Sequence, residues 1–136
     1  MKHLLPRAVW PAALVLALAA PATAEGTEAS GWRLVSVAGL EALPGGRIAF
    51  SADGAVFGST GCNRFTGTVV AAPGMLDFNR PLASTRKACP GDLEEQERRV
   101  LEALSGPVSV AYDPVSDRMT LVPANGHAVL AFERDP

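Results

Sequence analysis

The sequence predicts an α+β domain: an antiparallel sheet, curved or closed as a partial β-barrel, with one covering α-helix. From Trp32 onward, short β-type runs recur about every 8 to 12 residues between turn signals, the spacing of an antiparallel sheet. Asp53-Gly54 lies between two such runs and supplies the positive φ of a tight hairpin turn. Only between Asp92 and Leu104 does the apolar period lengthen from near 2 to near 3.6, so one helix stands among the strands.

The first element is an export signal. Lys2 and Arg7 make a basic start, Ala8 to Ala22 is apolar apart from Pro11 and Pro21, and Ala22-Thr23-Ala24 offers a small-x-small cleavage site. A membrane span needs roughly 20 apolar residues, and this run is shorter and carries proline. Residues 1–24 therefore read as a signal peptide cleaved after Ala24, residues 25–30 as a polar leader and residues 31–134 as the domain. Glu25 would be the new N-terminus, so no cysteine is offered there for lipid attachment, and no stable membrane span is expected after cleavage.

Within the domain, Trp32 to Val37 reads as a strand ending at Gly39, and Arg47 to Ser51 with Ala55 to Gly58 form the hairpin around Asp53-Gly54. Arg64 to Val70 and Met75 to Phe78 follow, separated by Pro73-Gly74, and Pro81 to Ala88 reads as extended. In the helix, Leu93, Val100, Leu101 and Leu104 share one face, while Glu94 with Arg98 and Glu95 with Arg99 make i,i+4 pairs on the other. Asp92 with Glu95 resembles a capping box, and Gly106-Pro107 stops the helix. Val108 to Tyr112, Met119 to Val122 and Ala128 to Phe132 are the last strands, turned at Asp113-Pro114 and Asn125-Gly126.

Composition narrows the function. Apolar residues make up 48% and charged residues 19%, which excludes a disordered chain. The 12 basic and 14 acidic residues leave a net charge of −2, and removing residues 1–24 takes two cations and no acid. With no basic stripe interleaved with aromatics, no nucleic-acid partner is expected. A mature chain of about 110 residues is long enough to build one core without a metal, and a monomer without cofactor or metal is the expectation.

Cys62 and Cys89 are the first candidates for chemistry. In an exported chain a disulfide is the default, because such bonds persist outside the reducing cytosol. A reactive thiol is the rival, disfavoured because there is no Cys-x-x-Cys motif and an exported free thiol oxidises easily. His127 follows a turn, where a solvated histidine outweighs a catalytic base, and metal binding would need Cys62, Cys89 and His127 to converge from afar. Gly58-Ser59-Thr60-Gly61 lacks the lysine and helix of a phosphate-binding loop. Glu94, Glu95, Glu97 and Glu102, interleaved with Arg98 and Arg99, read as a solvated helix face.

Two segments, Gly58-Ser59-Thr60-Gly61-Cys62-Asn63-Arg64-Phe65-Thr66-Gly67 and Leu82-Ala83-Ser84-Thr85-Arg86-Lys87-Ala88-Cys89-Pro90, resemble the META domain of the heat-shock protein HslJ-like family. Phe50 to Gly54, Glu97 and the last strand ending in Phe132 fit the same pattern, so the resemblance spans Gly31 to Arg134. It implies a small antiparallel α+β domain of secreted or envelope proteins associated with stress tolerance. No catalytic residues are established for the family, so it implies none here. Many members have methionine where this chain has Lys87.

In physical terms, Asn63 can tie a turn, Gly61 and Gly67 allow bends or close approach, and Arg64 or Arg86 can brace a carboxylate. Gly61, Asn63, Arg64, Gly67, Thr85 and Arg86 are thus candidates for either a structural or a partner-binding role. The reading is an exported, non-catalytic domain that binds an envelope or secreted protein partner. A lipid or small-hydrophobe carrier and a thiol redox protein using Cys62 and Cys89 are the alternatives.

Overall fold

The computed structural model describes residues 30–135; the expected signal peptide, residues 1–24, and residues 25–29 of the expected leader lie outside the described residues. Alternating burial makes the strands. In β3 (Gly46–Phe50) Ile48 is buried and Arg47 exposed, and in β4 (Ala55–Thr60) Val56 and Thr60 are buried and Phe57 exposed. One face of the sheet is therefore apolar and the other meets water. The remaining strands are β1 (Ser30–Val37), β2 (Leu40–Glu41), β5 (Arg64–Thr68), β6 (Val70–Ala72), β7 (Met75–Phe78), β8 (Ala83–Ser84), β9 (Gly106–Asp113), β10 (Arg118–Pro123) and β11 (Leu130–Arg134).

All pairings are antiparallel, in the order β6-β7-β9-β10-β11-β1-β3-β4-β5-β8, with β2 beside β1. The sheet curls into a half-barrel, as expected. Its two ends are joined by one residue: β5 is next to last at one end, β6 is last at the other, and only Val69 lies between them. The single strand expected over Arg64 to Val70 is thus two strands. Val69 turns its buried side chain to the core and donates its N–H to Gly54 O at 2.9 Å. Two further departures are small. The turn at Ala38-Gly39 leads into the short β2, and the extended segment from Pro81 to Ala88 pairs only at β8.

Asp53-Gly54 turns the β3–β4 hairpin as expected, with Gly54 alone at positive φ (87°). The Ser51 hydroxyl and the Ala55 N–H both bond the Asp53 carboxylate, and together they hold its pKa below the ordinary aspartate value.

Helix α1 (Asp92–Ala103) packs across the concave side, burying Gln96, Val100 and Ala103, with Leu104 just beyond its end. Its start differs from the expected capping box. Gly91 is the N-cap and makes no side-chain cap, so Asp92 lies inside the first turn. Arg99 pairs with Glu95 as expected, but Arg98 takes Glu95 and Glu102 rather than Glu94. Its last turn carries no basic residue; instead Asn125 Nδ2 donates to Glu102 O (3.0 Å) and Ser105 O (3.2 Å). The Asn125-Gly126 turn therefore also caps the helix from a distant part of the chain. Between helix and sheet, Phe65, Phe132, Ile48, Leu121, Leu130, Val56 and Val108 fill the core.

Candidate functional site

The motif segments meet at the turn between β4 and β5. Gly61 has φ 104°, and a Cβ there would press on Pro44 O, Leu93 and Gln96 at 3.0–3.1 Å, so glycine answers both the backbone angle and the space. Thr60 N–H donates to Asn63 O (3.0 Å), while Thr60 Oγ1 accepts from the N–H groups of Cys62 (3.3 Å) and Asn63 (3.2 Å). The Asn63 side chain, 2% exposed, then reaches across the chain. Its Oδ1 accepts from the Thr85 hydroxyl (3.0 Å) and from Lys87 N–H (2.9 Å), and its Nδ2 donates to Lys87 O (3.1 Å). Arg64 N–H donates to Thr85 Oγ1 (3.0 Å), and Thr85 N–H donates to Arg64 O (2.9 Å). Five hydrogen bonds thus fasten residues 85–87 to the turn.

Cys62 and Cys89 close the same junction as a disulfide, with Cα atoms 5.9 Å apart. Asn63 Nδ2 also donates to Cys89 Sγ, at 3.4 Å. The helix completes the site. Gln96 accepts from Leu43 N–H (2.7 Å) and donates to Leu43 O (3.3 Å) and Thr60 O (2.8 Å). Glu97, read from the sequence as part of a solvated acidic face, instead turns to the disulfide. Thr60 Oγ1 donates to its Oε1 (3.2 Å), and its Oε2 lies 3.3 Å from Cys89 Sγ. A disulfide sulphur has no proton to share, so this last approach is a contact without a hydrogen bond.

The other candidates separate. His127 stands at the far end of α1, its Nδ1 3.5 Å from Glu102, roughly 7.5 Å along the helix axis from Glu97. Glu97, not His127, is therefore the group beside the two sulphurs. Gly67 leaves room for Leu82, whose Cδ2 a Cβ would meet at 2.6 Å. Arg64, Arg86 and Lys87 are exposed.

Arg64 points away from the core, on the outer face of β3, β4 and β5. There it joins Arg47, Phe57, Ser59 and Thr66 around an open concavity of about 710 Å³. Arg47 is paired with Asp135 at 3.1 Å, whereas Arg64 has no acidic partner among the described residues. Phe57 is 42% exposed at the centre of this surface.

The roles of two site residues escaped sequence reasoning. Gln96 is the buried polar residue in the helical stripe between Leu93 and Val100, and the interrupted apolar period is the signal that marks it. Glu97, placed only within the family-like pattern and grouped by its charge with the solvated glutamates, carries a mark as well: it stands four residues after Leu93 and three before Val100, on the apolar face.

Among known proteins, the META domain family model matches residues 25–136. No curated protein matches the chain. A protein solved by NMR is 28% identical, with a TM-score of 0.64 over 82% of this chain and 93% of that one. A protein from Burkholderia xenovorans, also solved by NMR, is 28% identical, with a TM-score of 0.59 over 85% and 88%. A DUF4847 family protein from Bacteroides vulgatus, known from a crystal structure, shares the fold at 17% identity and a TM-score of 0.55, over 82% and 96%.

Proposed function

Because the chain belongs to the META domain family, we propose that it is an exported, non-catalytic binding domain that serves envelope stress tolerance by docking a protein partner on the outer face of β3, β4 and β5. One observation carries the reading. The buried polar groups of the motif, Thr60, Asn63 and Gln96, are engaged inside the fold, while Arg64 projects beside Phe57 with no acidic partner among the described residues. A cation next to a half-exposed aromatic ring suits a partner segment that pairs a carboxylate with an apolar side chain. The Cys62–Cys89 disulfide is compatible with a periplasmic or secreted location. Among the described residues no helix is long and apolar enough to cross a membrane.

A photo-crosslinking residue at Ser59, carried by the protein in living cells, tests the surface. The expected result is one defined adduct that Arg64→Glu abolishes while the melting temperature stays unchanged. No adduct, or one indifferent to Arg64→Glu, would sink the reading. For stress tolerance, a strain lacking the protein should lose viability after heat challenge, and the wild-type chain should restore it where Arg64→Glu does not. The carrier alternative draws little support, because large side chains and α1 fill the concave side where an apolar ligand would have to lie.

A further inference from the structure

We propose that Cys62, Cys89 and Glu97 form a redox-gated site for a zinc-class divalent cation, closed in the disulfide form and opened by reduction. The Sγ atoms and one Glu97 oxygen all lie within 4.8 Å of one another. Zinc–thiolate bonds of about 2.3 Å at the tetrahedral angle set two sulphurs just under 4 Å apart, which side-chain rotation reaches once the disulfide is cut. Two thiolates and one carboxylate suit a borderline-soft ion that favours four-coordination, with water in the fourth position.

Two observations on Glu97 point to a cation here. Glu97 is half-buried and has no basic partner among the described residues, although its neighbours Glu95 and Glu102 are both paired. Its carboxylate is also oriented: the Thr60 hydroxyl holds Oε1, which leaves Oε2 facing the sulphurs. Such outer-shell bonds fix a ligand's direction in metal sites. Asn63 Nδ2 supplies a further donor to Cys89 Sγ, a bond that strengthens when the sulphur becomes a thiolate.

The chemistry balances with a dithiol as reductant. The dithiol gives two electrons and two protons and becomes a disulfide, while the Cys62–Cys89 bond breaks to two thiols. The cation then displaces both thiol protons to solvent, forming two metal–sulphur bonds and one metal–oxygen bond to Glu97.

The test compares the purified protein before and after reduction with a phosphine, titrated with zinc and, for a spectrum, with cobalt(II). The reduced protein is expected to bind one equivalent of zinc with submicromolar Kd, to show a thiolate-to-cobalt charge-transfer band and to keep its folded circular dichroism. The disulfide form should bind none. Glu97→Gln should weaken zinc binding at least tenfold while keeping the thiolate band, and Glu102→Gln should leave it unchanged. The proposal is overturned if the reduced, folded protein takes up no zinc, if the disulfide form binds equally well, or if Glu97→Gln binds like the wild type. It is overturned as well if the reduced chain unfolds and zinc does not restore the fold.

Discussion

Asn63 shows how much one buried amide can organise. Truncating it to alanine would leave the Thr85 hydroxyl and both backbone groups of Lys87 without their partner inside the junction. With each lost hydrogen bond to a buried group worth about 1–3 kcal/mol, partly recovered by water, Asn63→Ala should cost about 2–4 kcal/mol in urea denaturation. Asn63→Asp keeps Oδ1 but loses the Nδ2 donor, so it should fall between wild type and alanine. At the far mouth of the half-barrel, Asp117 accepts from Tyr112 Oη at 2.5 Å and from Arg134 Nε, whose guanidinium lies 4.4 Å above the Trp32 ring. The tyrosine bond first, and Arg134 second, hold the Asp117 carboxyl below the usual aspartate value. A depressed folded-state pKa adds stability above the unfolded value, near pH 4, and that stability is lost as pH falls through the folded value. The melting temperature should therefore hold from neutrality to about pH 5 and drop below about pH 4, and Asp117→Asn should flatten the drop. An unchanged acid limb in that variant would assign the loss to other carboxylates.

At the scale of the element, α1 is attached by chemistry that its own sequence hides. Its exposed side reads correctly as a charged ladder, and its apolar stripe predicts burial of Val100 and Leu104. Gln96, however, sits in that stripe and joins the helix to both the 43 loop and the end of β4. Gln96→Ala should destabilise by about 2–3 kcal/mol, mostly through the unpaired Leu43 N–H and Thr60 carbonyl. Gln96→Glu keeps an acceptor for Leu43 N–H but brings its carboxylate against two carbonyl oxygens, so it should be as damaging or worse. Equal stability of wild type and Gln96→Ala would mean that water replaces the amide. The capping box failed for a related reason: Asp92 and Glu95 have the right spacing, but Gly91 takes the cap position with φ 53°.

For the molecule as a whole, the disulfide and the Val69 crossover act at opposite ends of the β4–β5 hairpin, Val69 beside Gly54 and Cys62 just after Thr60. Cys62 and Cys89 are 27 residues apart, and the chain-entropy account assigns such a loop about 3–4 kcal/mol. Reduction, or the double replacement Cys62→Ala with Cys89→Ala, should lower the melting temperature by roughly 10–20 °C. Calorimetry with and without phosphine measures this directly. A shift of only a few degrees would mean that the Asn63 bonds already hold residues 85–89 in place.

The linear order of the residues was enough to determine the α+β class, most strands, the single helix and the hairpin at Gly54. Each of these follows from a local period or a turn dipeptide, and a neighbouring residue suffices to favour it. The pairing of Cys62 with Cys89 was also legible, because a chain read as exported and holding two cysteines has one intramolecular bond to make. Only the tertiary structure decided that β5 and β6 stand at opposite ends of one curled sheet, that Asn125 caps a helix more than twenty residues away, and that Glu97 rather than His127 meets the sulphurs. Such outcomes depend on which surfaces the core buries. A half-barrel turns one side of α1 inward, and although the spacing from Leu93 and Val100 sets Glu97 on that side, a place on a helix face does not say which turn of the sheet the side chain will meet.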